Sequence, residues 1–190
     1  MGPSVSAQAA PNRPAVSFRR ATEADALCIG VLATQVFLDT YATEGVRASL
    51  AREVHQKFAT KAIRTLVSST ACTFILAEAS QHLVGFAQLT FGASQTLVSA
   101  QAPVELDRLY VLARFTGIGL GKALLRQAEA LAASSGASAL WLTAWAGNER
   151  ALAFYPAQGY RDVGATTYAF GGDEYENRVF AKVLCAASAG

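Results

Sequence analysis

Three glycines at alternating positions, Gly117, Gly119 and Gly121, separate an apolar run ending at Leu112 from a strongly helical segment. Glycines so spaced leave backbone N–H groups uncovered, and the positive end of the following helix adds to them. The stretch YVLARFTGIGLGKALL therefore reads as an anion cradle suited to a diphosphate. Two nucleotide patterns fail on the letters. A P-loop needs a glycine five positions before the Gly121–Lys122 pair and Ser or Thr after it, where this chain has Thr116 and Ala123. A dinucleotide fingerprint begun at Gly117 or at Gly119 needs its third glycine at Lys122 or at Leu124. On these letters alone, a glycine-rich turn that binds nothing remains the alternative.

The elements around the cradle follow from periodicity. Residues 1–14, rich in Ala, Ser, Pro and Gln, read as a disordered leader, and residues 15–186 as one domain. Val16 to Arg19 is a strand, and Thr22 with Asp25 starts a helix running to about Leu38. Further helices are expected from Glu44 to Phe58 and Lys61 to Val67, and strands over Cys72–Glu78 and Leu83–Phe91 with a hairpin between them. A strand from Pro103 to Leu112 feeds the glycines. Leu120, Leu124, Leu125, Ala128 and Leu131 form one face of the next helix, which Gly136 closes. Ser138 to Trp145 is then a strand, Asn148 to about Pro156 a helix capped by Asn148, and Arg161–Phe170 with Asn177–Cys185 a terminal strand pair. The order predicts an α/β (α+β) fold with a mixed central sheet, parallel around the cradle's helix.

Composition narrows the partners. A formal charge of +2 with both signs interspersed provides no basic stripe for nucleic acid. No apolar run reaches the roughly 20 residues of a membrane span, and residues 1–14 lack the apolar centre of a signal peptide, so a cytoplasmic protein is expected. Cys28, Cys72 and Cys185 read as small core residues, and no metal site is expected because His55 and His82 have no ligand-spaced partners.

The segments LDRLYVL, TGIGLG and WLTAWAGN, followed by Ala151, Phe154–Tyr155 and Gly159–Tyr160, match in order and spacing over about Ser17 to Leu184. In these the chain resembles the Gcn5-related N-acetyltransferase (GNAT) superfamily. Phe37 to Tyr41, Glu105 to Val111, Trp141 to Trp145 and Gly164 to Gly171 are similar to segments of its PaiA-type polyamine acetyltransferases. The resemblance implies a GNAT fold with a splayed parallel strand pair at an acetyl-CoA site. It implies pyrophosphate held by Thr116, Gly117, Ile118, Gly119, Leu120, Gly121 and Lys122, and pantetheine amides paired with Leu109, Tyr110 and Val111 as an added strand. The motif's first position, Gln or Arg in the family, is Thr116 here, which shifts phosphate binding onto backbone amides.

The implied reaction moves acetyl from acetyl-CoA to a primary amine by direct attack in a ternary complex. It needs a base for the ammonium proton and an acid for the leaving thiolate. Glu105 is the candidate base, through a water relay or with a raised pKa, because an ordinary carboxylate lies about six units below an alkyl amine. Its alternative is a solvated acid or an ion-pair partner of Arg108. Tyr155 stands where the family places the tyrosine that protonates CoA, with a packed core aromatic as its alternative and Pro156 disturbing its helix. Asn148 caps its helix and is placed to reach a cofactor amide. Thr143 in place of a family Glu argues against protein N-termini and for a small amine acceptor. Asp39, Glu44, Asp107, Asp173, Glu174 and Glu176 are candidate acids for a polyamine. A catalytically weak acetyl-CoA-binding sensor is the competing function, and the terminal strand pair is a possible homodimer edge.

Overall fold

Seven strands form one mixed sheet in the order β1-β2-β3-β4-β5-β7-β6. They are β1 Val16–Arg20, β2 Cys72–Ala79, β3 His82–Phe91, β4 Val104–Val111, β5 Ala139–Trp145, β6 Arg161–Phe170 and β7 Asp173–Val183. The helices are α1 Ala26–Tyr41, α2 Ala48–Lys57, α3 Thr60–Val67, α4 Leu120–Ser134 and α5 Glu149–Ala157. This computed structural model describes residues 15–170 and 173–184. The expected leader, residues 1–14, and Cys185 lie outside the described residues.

Two apolar layers flank the sheet. Leu120, Leu124, Leu125 and Ala128 of α4 pack against Val104, Leu106, Leu140 and Leu142 on one face. On the other face, Ile29, Leu32, Phe37 and Ile63 from α1 and α3 meet Phe74, Leu76 and Phe86. Burying such side chains contributes about 1.5–3 kcal/mol each, so both layers hold the sheet's strands in register. The β2–β3 hairpin turns through Ser80 and Gln81, both left-handed at φ 49° and 66°, the two-residue geometry that matches strand twist. The α4 helix ends as expected at Gly136: the Ala137 N–H reaches the Ala132 carbonyl and the Gly136 N–H that of Ala133.

Three expectations need correction. The helix expected from Glu44 starts at Ala48, because Gly45 is left-handed at φ 106° and Arg47 is extended, which leaves residues 42–47 as a loop. β7 starts at Asp173 instead of Asn177, since the backbone of DEYEN continues the antiparallel ladder with β6. Cys28 is exposed on α1 and Cys72 is only partly buried, so neither is a core residue. Among the described residues no helix is long and apolar enough to cross a membrane.

The strands divide at one point. β4 and β5 run parallel and pair only at Val104–Leu140 and Glu105–Trp141. All other neighbours are antiparallel. Against β3, the register steps from Gln88–Arg108 to Leu89–Leu106 and leaves Asp107 as an extra residue. This bulge bends β4 away from β5. From Leu106 to Val111 its backbone pairs with β3 alone, so one edge of β4 carries no partner strand among the described residues.

Candidate active site

At one end of the divided strands lie the glycines. Gly117 and Gly119 are left-handed, at φ 76° and 89°, and open space surrounds the position a Cβ would take on either. Among the described residues, the amides of 117–122 make no backbone hydrogen bond, and the ladder of α4 starts where the Ala123 N–H meets the Gly119 carbonyl at 3.0 Å. Six N–H groups without a backbone partner at a helix start have the chemistry to receive a diphosphate-sized anion. Thr116 turns its hydroxyl back onto the Ala113 carbonyl at 2.7 Å, so that side chain is spent on the turn. Leu120 buries its side chain in the core while Ile118 and Lys122 face outward.

Along β4, Leu109 and Val111 pack toward α4 and Tyr110 toward α1, so what these three residues offer the cleft is their free backbone edge. The Asn148 side chain accepts from the Ala151 N–H at 3.1 Å and caps α5. Tyr155 lies on α5 with its ring in the core, 5.2 to 5.8 Å from the rings of Phe154, Tyr160 and Phe180. Burial, and then the phenol of Tyr41, push its pKa above the ordinary range. Its hydroxyl has no hydrogen-bond partner among the described residues. Pro156 leaves α5 unbroken: it stands one residue before the helix ends, so its missing N–H forgoes a single ladder bond near the terminus, and the helical Tyr155 departs from the pre-proline bias.

Glu105 is half-buried at the last paired position before the division, and no partner among the described residues bonds its carboxylate. Burial first, then the charge of Asp107, against the opposing pull of Arg108, raises its pKa to about 7. The expected alternative of an ion pair with Arg108 is not formed. Arg108 instead pairs with Asp107 at 3.3 Å and donates to the Gln88 side-chain oxygen. Beside Glu105 in register, Trp141 buries an indole N–H that has no hydrogen-bond partner.

Gln88 is the feature that motif reading misses. It is fully buried in β3, and its amide nitrogen donates to Asp107 at 2.7 Å while its oxygen accepts from Arg108. A single polar letter inside the apolar run LVGFAQL is the signal that marks it.

Where the strands part, a cavity of about 420 Å³ opens on the α1–α2 side. Asp107, Arg108 and Tyr110 of β4 and Thr143 and Trp145 of β5 form its floor, with Phe37 and Tyr41 of α1 above. Of the acids named from sequence, Glu44 and Asp107 line it; Glu174 and Glu176 flank a separate groove on the β6–β7 pair, and Asp39 is exposed on α1. These aromatic walls come from five elements far apart in the chain and had no linear signature.

The glycine amides, a free strand edge and a cavity thus lie in series along β4, with the acid of Glu105 on the same strand just before the division and the phenol of Tyr155 on α5. The sequence profile of the acetyltransferase (GNAT) family matches residues 37–160. The chain belongs to the GNAT family. Membership makes it an acetyl-CoA-dependent N-acetyltransferase, and the mixed sheet with its divided parallel pair is the GNAT fold. Among GNAT relatives, an uncharacterised N-acetyltransferase from the region 3′ of pepI in Lactobacillus delbrueckii subsp. lactis is 22% identical over 153 residues, 80% of this chain and 88% of that protein. Another uncharacterised N-acetyltransferase, from Mycobacterium tuberculosis, is 32% identical over 103 residues, 54% of this chain and 62% of that protein. In fold, the chain is similar to the PaiA N-acetyltransferase from Thermoplasma acidophilum, crystallised with coenzyme A. That match has a TM-score of 0.68 at 20% identity and covers 89% of this chain and 99% of that one.

Proposed function

We propose that this GNAT protein acetylates a small primary amine, with the acceptor seated in the cavity at the division of β4 and β5. The observation that carries the reading is the free edge of β4, which runs from the glycine amides to that cavity. The open, left-handed glycines and the six uncommitted amides fit the pyrophosphate of CoA, and the edge of Leu109, Tyr110 and Val111 fits an arm bearing amides. Asn148 fixes the start of α5 and sets that helix beside the arm. Acetyl-CoA supplies the activated acetyl group as a thioester.

The chain's own groups balance the protons. As the amine nitrogen bonds to the acyl carbon and the bond from carbon to sulfur breaks, one proton leaves nitrogen and one is needed at sulfur. Glu105 takes the first. At a pKa of about 7 it lies about three units below an alkylammonium instead of six; burial of the bound cation narrows that gap, and a water relay carries the proton across. The unpartnered Trp141 N–H beside it is a seat for such a water. Tyr155 gives the second proton from a hydroxyl that no other described group engages.

A polyamine is the narrower form of this reading, and Glu44 and Asp107 support it; the three basic side chains of the lining, Arg47, Lys57 and Arg108, do not. The outer position of β6 supports a homodimer through that edge, which sedimentation equilibrium would test. The test of function is CoA thiol release with a panel of primary amines, run beside calorimetric titration with acetyl-CoA. Release with at least one amine is expected; tight binding with no release on any amine would instead favour the sensor.

A further inference from the structure

The cavity's walls bear on which amine enters it. The ring of Phe37 lies 4.5 Å from that of Tyr41, Tyr41 lies 5.5 Å from Trp145, and Trp145 meets Tyr175 edge-on at 6.4 Å. Together they make a continuous aromatic wall from α1 across β5 to β7. Three more rings border the cavity, those of Phe58, Tyr110 and Tyr168, and two of them already face one of the protein's own cations. Lys57 sits 4.8 Å from the centre of Tyr168, and Arg108 sits 5.5 Å from the centre of Phe58. Those two faces have their cation–π capacity filled from within. Asp107 is likewise engaged, by Gln88 and Arg108.

An extended polycation calls for an excess of carboxylates to meet its several ammonium groups. This lining has three basic side chains against two acidic ones. What it offers is flat apolar area, and an aryl ring packs on aromatic faces in offset or edge-on contact. A volume of about 420 Å³ suits one small ring with a short arm.

We propose that the acceptor is an arylalkylamine: a single primary amine two or three bonds from an aromatic ring, the ring against Tyr41 and Trp145 and the nitrogen toward the strand division. This rests on the acetyltransferase reading above and narrows its substrate class. The reaction is unchanged: the amine loses one proton as its nitrogen bonds the acetyl carbon, and CoA leaves as the thiol.

The test measures kcat/KM by thiol release on the full chain with 2-phenylethylamine, tyramine, butylamine and spermidine at saturating acetyl-CoA. The aryl amines should exceed butylamine and spermidine at least tenfold. In Trp145→Leu, and separately in Tyr41→Leu, the ratio of phenylethylamine to butylamine should fall toward one. Calorimetry should show phenylethylamine binding to the unaltered protein more tightly than spermidine. Spermidine or butylamine equal to or ahead of the aryl amines would overturn the proposal, as would an unchanged ratio in whichever variant folds. Failure of the underlying reading looks different, since then no amine releases thiol.

Discussion

The Tyr168 hydroxyl on β6 donates to the Glu53 carboxylate on α2 at 2.8 Å. The same carboxylate takes Lys57 at 2.6 Å, and Lys57 also bonds the Tyr168 oxygen. One turn outside, Arg47 bonds the Tyr175 hydroxyl on β7. The α2 helix buries only Leu50, so polar contacts to the β6–β7 pair hold it over the cavity. Tyr168→Phe should therefore raise KM for the amine about threefold with kcat and the Kd for acetyl-CoA near those of the unaltered protein. Steady-state kinetics in both substrates checks this, and a matching rise for acetyl-CoA would count against a hold on the acceptor side.

Tyr155→Phe keeps the ring that packs on Phe154, Tyr160 and Phe180 and removes only the hydroxyl. Turnover should drop at least tenfold while the Kd for acetyl-CoA, read by calorimetry, stays within about twofold. Equal turnover in the two proteins would leave Tyr155 a packing residue.

Glu105 carries a sign that two measurements share. Its folded pKa of about 7 lies above its ordinary value of 4.5, so the folded state holds this proton more tightly than the unfolded chain. The stability it contributes is full below about pH 4.5 and is lost as pH rises through about 7. Glu105→Gln should thus raise Tm relative to the unaltered protein at pH 8.5 and not at pH 4.5. Activity moves the other way: kcat/KM should climb through pH 7 in the unaltered protein, and that limb should vanish from the Glu105→Gln profile along with most of the rate.

Thr116 spends its hydroxyl on Ala113, so the glycine amides act without a charged side chain at that position. Thr116→Arg should tighten acetyl-CoA binding roughly fivefold in low salt, with the gain shrinking as ionic strength rises. A salt-independent gain, or none, would place the phosphates elsewhere. Gly119→Ala should do the opposite, because its left-handed backbone disfavours a Cβ by about 1 kcal/mol even with space around it.

Legibility in the sequence tracked how local each cause is. The α4 face, its Gly136 stop and the Asn148 cap each depend on a few neighbouring residues, and each was read correctly. Gly45 was passed over because the apolar spacing on either side of it suits a helix. DEYEN was passed over because this start of β7 pairs with β6 alone, beyond the reach of β5, and a strand segment exposed to water need not look apolar. Within the site, the glycine amides and the positions of Glu105 and Tyr155 have motif spacing behind them. The Gln88 bridge and the aromatic wall exist only once β3, β4, β5, β7 and α1 are brought together, so no window of the chain contains them.

The free edge of β4 also acts as a ruler. With Asp107 bulged out, its four ladder steps from Leu106 to Val111 span ~14 Å at about 3.4 Å each, a fixed gauge between the phosphate seat and the reacting end. In the proposed complex, substrates would thus be sorted by length before chemistry: a thioester on a truncated arm could not touch both marks at once, and adding or deleting one residue in this stretch would miscalibrate the gauge while leaving each end intact.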